Sequence, residues 1–170
     1  MLQGEAMAGT GAVPWDENGE LEVLTFDVGD ERLAIEAVSI REILDLLPET
    51  RVPGAPELVA SVVNFRGKII PIADLRLAFG LPRQMPDEAG TDNRIVVIEA
   101  EIGGEALQIG LRSDKVHEVT ILDRASSSEP PVLGMRWKRE YVRELVRQQG
   151  SVIVLPDLSA IFTALVEVHR

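Results

Sequence analysis

Apolar and polar residues first alternate at Leu21. Leu24, Phe26 and Val28 share one side of an extended segment, which predicts a half-buried strand. Gly29-Asp30 interrupts it, and Leu33 and Ile35 resume the alternation, so the spacing predicts a hairpin. Ile40, Ile43, Leu44 and Leu47 fall at i, i+3, i+4 and i+7, which predicts a short helix stopped by Pro48. Pro53 to Pro56 reads as a turn, Val59–Phe65 as a strand, Arg66-Gly67 as a turn and Ile69–Ile72 as a strand. Asp74 is placed to cap a short helix carrying Leu75, Leu77 and Phe79, ended by Gly80 and Pro82. After a polar loop over Pro82–Asp92, Arg94–Ile102 and Glu105–Leu111 flank Gly103-Gly104 as a second hairpin. Ser126–Pro131 reads as a loop and Ser151–Leu155 as a strand. Asp157 opens a final helix with Leu158, Ile161, Phe162 and Leu165 on one face.

The pattern repeats within the chain. Gly67, Asp74-Leu75 and Phe79 recur as Gly150, Asp157-Leu158 and Phe162, all at an offset of 83. Gly29, Glu31, Leu33 and Ile35 recur as Gly103, Glu105, Leu107 and Ile109 at 74, and Ile40, Glu42 and Ile43 match Val116, Glu118 and Val119 at 76. Three matches in the same order, with an offset that drifts as loop insertions make it drift, imply a duplicated unit of short, mostly antiparallel strands closed by a short helix. On this alignment Glu118 is the counterpart of Glu42.

Composition narrows the function classes. The chain has 170 residues, 45% of them hydrophobic, enough to bury a core. Its 17 basic and 28 acidic side chains give a net charge of −11, the wrong sign for a nucleic-acid binder. Most of that charge lies before residue 51, whereas residues 51–80 are net positive through Arg51, Arg66, Lys68 and Arg76. With no cysteine there is no disulfide, thiolate catalysis or Cys-ligated metal. Apolar runs such as Ile69–Ala73 and Val152–Pro156 are far below the ~20 residues of a membrane span, so no membrane insertion is expected. Residues 1–20 carry neither a basic n-region nor an apolar h-region and read as a flexible tail, not a secretory signal.

Candidate chemistry is sparse. Asp74 and Asp157 precede short helices at matched positions, which suits capping better than acid–base work. His117 and His169 are too scattered for a metal site, and no metal, cofactor or catalytic residue is expected. A small enzyme would have to bring Asp114, His117 and Glu118 into one pocket. Phosphate-binding glycine loops, nucleophile elbows and zinc-protease motifs are absent.

Val62-Val63-Asn64-Phe65-Arg66-Gly67, followed by Pro71 and Asp74-Leu75-Arg76, resembles the Asn-x-Arg-Gly and Asp-Leu-Arg stretch of the CheW family of bacterial chemotaxis adaptors. Val38–Ile43, the Val52-Pro53 to Pro56 turn and Leu111–Val119 are similar to further segments of that family, and the resemblance spans Leu21 to Leu165. It implies an all-β fold of two interlaced, SH3-like five-stranded barrels with a few short helices. The barrels would form a single domain over residues 21–166, with subdomains at about 21–82 and 92–166 and strands partly exchanged. It implies a non-enzymatic cytoplasmic scaffold recruited to membrane-associated receptor arrays. One face would bind the cytoplasmic tip of a methyl-accepting chemoreceptor and another the regulatory domain of a CheA-type histidine kinase. The receptor side would use Ile40, Glu42, Val62, Asn64, Phe65, Arg66 and Gly67, with Arg66 pairing with Glu42. The kinase side would use Ile43, Leu46 and Leu47. A CheW-like adaptor of a pilus, gliding or biofilm pathway and a generic SH3-like interaction module remain as alternatives.

The chain departs from the family pattern in four places. Ser61 replaces a Gly, Phe65 replaces a Leu, and Arg112-Ser113 replaces an apolar pair. Glu140–Gln149 lacks the usual Gly and has a helix-favouring composition where the family has a strand; strand is expected there.

Overall fold

The structure, a computed structural model, describes residues 11–82, 84, 89–131 and 137–166. Residues 1–10 of the tail expected over 1–20, residues 83 and 85–88 of the loop expected over Pro82–Asp92, and His169 lie outside the described residues. Twelve strands are described: β1 (Glu20–Val28), β2 (Glu31–Glu36), β3 (Ile40–Asp45), β4 (Thr50–Arg51), β5 (Ser61–Phe65), β6 (Lys68–Ala73), β7 (Arg94–Ile102), β8 (Glu105–Ser113), β9 (Lys115–Asp123), β10 (Ser127–Ser128), β11 (Val142–Gln148) and β12 (Ser151–Pro156). A helix, α1 (Leu158–Leu165), follows them.

The strands form two curled sheets, ordered β10-β11-β12-β2-β1-β9 and β4-β5-β6-β8-β7-β3. These are one order written twice. Each sheet takes the leading hairpin of one sequence repeat and the last four strands of the other. One junction in each sheet is a parallel pair, β12 with β2 or β6 with β8, while the other pairings are antiparallel. Each barrel therefore has the five expected strands plus a sixth of two residues, β4 or β10.

Alternation explains the packing. Ile95 and Val97 on β7 face the interior of their own sheet with Leu44, Val63, Ile70 and Ile72. Val96 and Ile98 face the other way, into a core shared with Phe26, Leu33, Ile35, Phe79 and Phe162. A strand buried on both faces needs a continuous apolar run, and residues 95–98 supply it. Val23, Ala34, Ile153 and Leu155 fill the other barrel. The final helix forms as expected. Asp157 caps it, its Oδ1 accepting from the Ala160 amide at 3.0 Å, and Leu158, Ile161 and Phe162 are buried in the shared core.

Several expectations are corrected. Residues 40–47 are not a helix: Ile40–Asp45 is strand β3, paired antiparallel with β7. A bulge between Ile40 and Glu42 leaves Arg41 unpaired and breaks the two-residue period, which imitates helical spacing. Pairing with the apolar run of β7 overrides the local pattern. The segment after Asp74 is a chain of turns; the Leu77 amide bonds the Asp74 carbonyl and the Phe79 amide the Leu75 carbonyl, without continuing as a helix. Asp74 still caps, accepting from the Arg76 amide at 3.1 Å. The 126–131 stretch contains β10, and residues 57–59 form a 3-10 turn before β5. Residues 142–148 are strand, as the resemblance implies and composition does not. Residues 13–19 are not free chain: Val13 is buried, Trp15 packs against the barrel core that contains Val23 and Leu155, and the Arg124 amide bonds the Gly19 carbonyl.

Candidate functional site

The β5–β6 hairpin turns on two residues, Arg66 at φ 54° and Gly67 at φ 81°. Positive φ at both central positions suits the twist of the flanking strands, and Asn64 Oδ1 secures the turn by accepting from the Gly67 amide at 2.9 Å. The turn puts the Arg66 guanidinium over the Phe65 ring, 4.5 Å from its centroid. Across from it on β3, Glu42 Oε2 lies 3.9 Å from Arg66 Nη1. The expected pair is therefore brought together, but as a loose ion pair beyond hydrogen-bond length.

Glu42, Phe65 and Arg66 line a shallow pocket of about 290 Å³ with Arg41, Lys68, Ile70, Val97 and Gln108. Its wall is apolar and its rim mostly basic. Arg41 is already engaged by Glu99 and by the Val38 carbonyl. Other expected receptor-side residues lie elsewhere. Ile40 packs against the shared inter-sheet core. Val62 lies on the opposite face of β5 from buried Val63, opposite Thr50 and Pro71.

The expected kinase-side residues lie just beyond. Ile43 and Leu46 remain exposed, at 44% and 38%. Leu47 is half-buried against the core that contains Leu44 and Val63. Glu42 and Ile43 are consecutive on β3, so their side chains leave opposite faces of the strand.

The second barrel lacks this chemistry. Val23 matches Val97 in the repeat, and Val23 is opposite Thr120 as Val97 is opposite Glu42. Thr120, not Glu118, is thus the structural counterpart of Glu42; bulges in both sheets shift the alignment read from sequence. Arg66 and Gly67 correspond to Gln149 at φ 51° and Gly150 at φ 81°. The turn geometry is kept while the charge pair is present in one barrel only.

Asp114, His117 and Glu118 do not converge. Asp114 Oδ2 accepts from Arg76 at 2.6 Å and from the Gly29 amide at 2.7 Å. His117 Nε2 lies 2.8 Å from Asp27 Oδ2 and 3.0 Å from Arg32 Nη2, and the Glu118 side chain is exposed.

Sequence reading misses the most buried charges. Arg143 on β11 binds Glu36 on β2 through two parallel bonds of 2.9 and 3.1 Å, and its Nε donates to the Pro156 carbonyl at 3.0 Å. Their side chains are 3% and 2% exposed. No spacing signals this pair, because the partners are 107 residues apart. Arg112, a departure from the family pattern, is also used: it binds Glu49 at 2.5 Å and lies 3.4 Å from Asp74, while Ser113 beside it is fully buried.

The model of the CheW-like domain matches residues 22–166. A chemotaxis protein CheW of Rhizobium meliloti is 28% identical over 145 residues, covering 85% of this chain and 89% of the relative. A chemotaxis protein CheW of Helicobacter pylori is 34% identical over 98 residues, 58% of each chain. Among solved structures, the scaffolding protein TtCheW from Thermoanaerobacter tengcongensis superposes with a TM-score of 0.70 at 27% identity, covering 84% of this chain and 92% of that one. With the matched model spanning both sheets and the Arg66 hairpin, the chain belongs to the CheW-like domain family.

Proposed function

We propose that this protein is a chemotaxis adaptor that couples the cytoplasmic tip of a methyl-accepting chemoreceptor to the regulatory domain of a CheA-type histidine kinase. One observation carries the reading: β3 presents Glu42 to the basic-rimmed pocket on one face and exposed Ile43 on the other. Two partners can then engage one strand together. In this reading the receptor tip docks at the pocket through Glu42 and Arg66, and the kinase docks on Ile43, Leu46 and Leu47. Apolar anchors supply most of the affinity and rim charges the specificity. The shared inter-sheet core makes the two faces parts of one packed body, so a shift at one reaches the other. The site of action is the cytoplasm, at membrane-associated receptor arrays. No helix among the described residues is long and apolar enough to cross a membrane.

Arg66→Ala tests the receptor side. Arg66 is exposed, at 76%, and its ion pair with Glu42 and stack on Phe65 are surface contacts that add little to stability. The variant is expected to keep its urea midpoint and to bind receptor signalling fragments roughly tenfold more weakly, about 1.4 kcal/mol. Unchanged receptor binding by a folded variant removes Arg66 from the docking surface.

A further inference from the structure

We infer that Phe65 is a positioning residue: its ring holds the Arg66 guanidinium over the pocket mouth, where it takes a carboxylate of the docked partner. The inference rests on the proposed receptor docking and goes beyond it in naming what aims the arginine and what the arginine meets.

An arginine at the tip of a two-residue hairpin has four free side-chain torsions and ordinarily sweeps through solvent. Here two constraints remove that freedom. The left-handed φ of 54° fixes where the side chain leaves the turn, and the Phe65 ring, 4.5 Å away, supports the guanidinium face. A guanidinium held by its face keeps its N–H edge free. The nearest acid, Glu42, stands off at 3.9 Å and leaves those donors available. The pocket wall, with Ile70 and Val97 behind Phe65, suits an apolar side chain, and Lys68 adds a second positive charge at the rim. The complementary partner surface is an apolar residue beside an Asp or Glu. A carboxylate arriving there meets a fork already oriented, which lowers the entropy lost on binding. Leucine would fill the same space but offers no ring face, so the stack is a property of this chain's Phe65.

The test uses the full-length chain and a soluble cytoplasmic fragment of a methyl-accepting chemoreceptor as probe. In the free protein, NMR should show the Arg66 δ and ε protons shifted upfield by the ring, with the shift lost in Phe65→Leu and kept in Phe65→Tyr. By calorimetry, Phe65→Leu should bind the fragment roughly threefold more weakly, and Phe65→Tyr should match the wild type. In an Arg66→Ala background, Phe65→Leu should cost nothing further, because Phe65 acts through Arg66. Raising the salt should weaken wild-type binding and affect Arg66→Ala less. An absent upfield shift overturns the inference. So does a Phe65→Leu loss that persists without Arg66, which makes Phe65 a direct apolar contact. A wild type that does not bind the fragment overturns the docking reading and the carboxylate assignment, while the NMR shift still decides the Phe65–Arg66 stack.

Discussion

Glu36→Ala is expected to lower the free energy of unfolding by about 3–5 kcal/mol, read as a fall in the urea midpoint. Glu36 and Arg143 are nearly sealed from water, and their two parallel bonds are complemented by Arg143 Nε on the Pro156 carbonyl. Removing the carboxylate takes away two of the guanidinium's three acceptors and leaves the buried charge with the Pro156 carbonyl. The cost is that of an uncompensated buried charge, not of an ion pair as such. Replacing both partners, as in Glu36→Leu with Arg143→Met, should therefore recover most of the loss. A Glu36→Ala midpoint within error of the wild type would refute this account of the pair.

Phe79→Ala should cost a comparable ~3–5 kcal/mol, through a cavity. The Phe79 side chain is fully buried in the core between the sheets and meets Trp137 edge-on, with centroids 5.8 Å apart. Its repeat counterpart, Phe162, lies in the same core. The two closing phenylalanines of the duplicated unit thus seal one shared interior. Because each sheet borrows its hairpin from the other repeat, neither can come apart alone. Loss of Phe79 should lower the stability of both in a single unfolding transition, monitored by tryptophan fluorescence and by circular dichroism. Two separated transitions, with one sheet unaffected, would show that the sheets fold independently.

Strand pairs joined by short turns are legible in the sequence because their information is local. Gly29-Asp30, Arg66-Gly67 and Gly103-Gly104 each sit between alternating segments, and all three hairpins form. The Asp157 cap is legible for the same reason. Segments whose conformation is decided by distant partners are not. Ile40–Asp45 carries helical spacing and becomes strand because β7 offers it an apolar face. Glu140–Gln149 has helix-favouring residues, yet residues 142–148 pair with β12. The duplication is readable, but the exchange of hairpins between sheets is a fact of topology and not of pattern. It also redistributes the charge. The acidic first fifty residues supply β1 and β2 to one sheet and β3 to the other, so the charge gradient along the chain does not separate two barrels. At the candidate site, the Arg66 turn and its approach to Glu42 follow from motif residues. The guanidinium's rest on Phe65 does not, since it depends on the φ of the turn.

In the proposed function one small domain engages two different partners at once, through opposite faces of β3. The most direct measurement is co-sedimentation of the wild-type chain with receptor-containing membranes and a CheA-type kinase, separately and together. The chain is expected to pellet with the membranes, the kinase to pellet efficiently only when the chain is present, and Arg66→Ala to pellet with the membranes far less while still binding the kinase in solution. A chain that binds neither partner, or whose two partners displace one another, would contradict the proposed function.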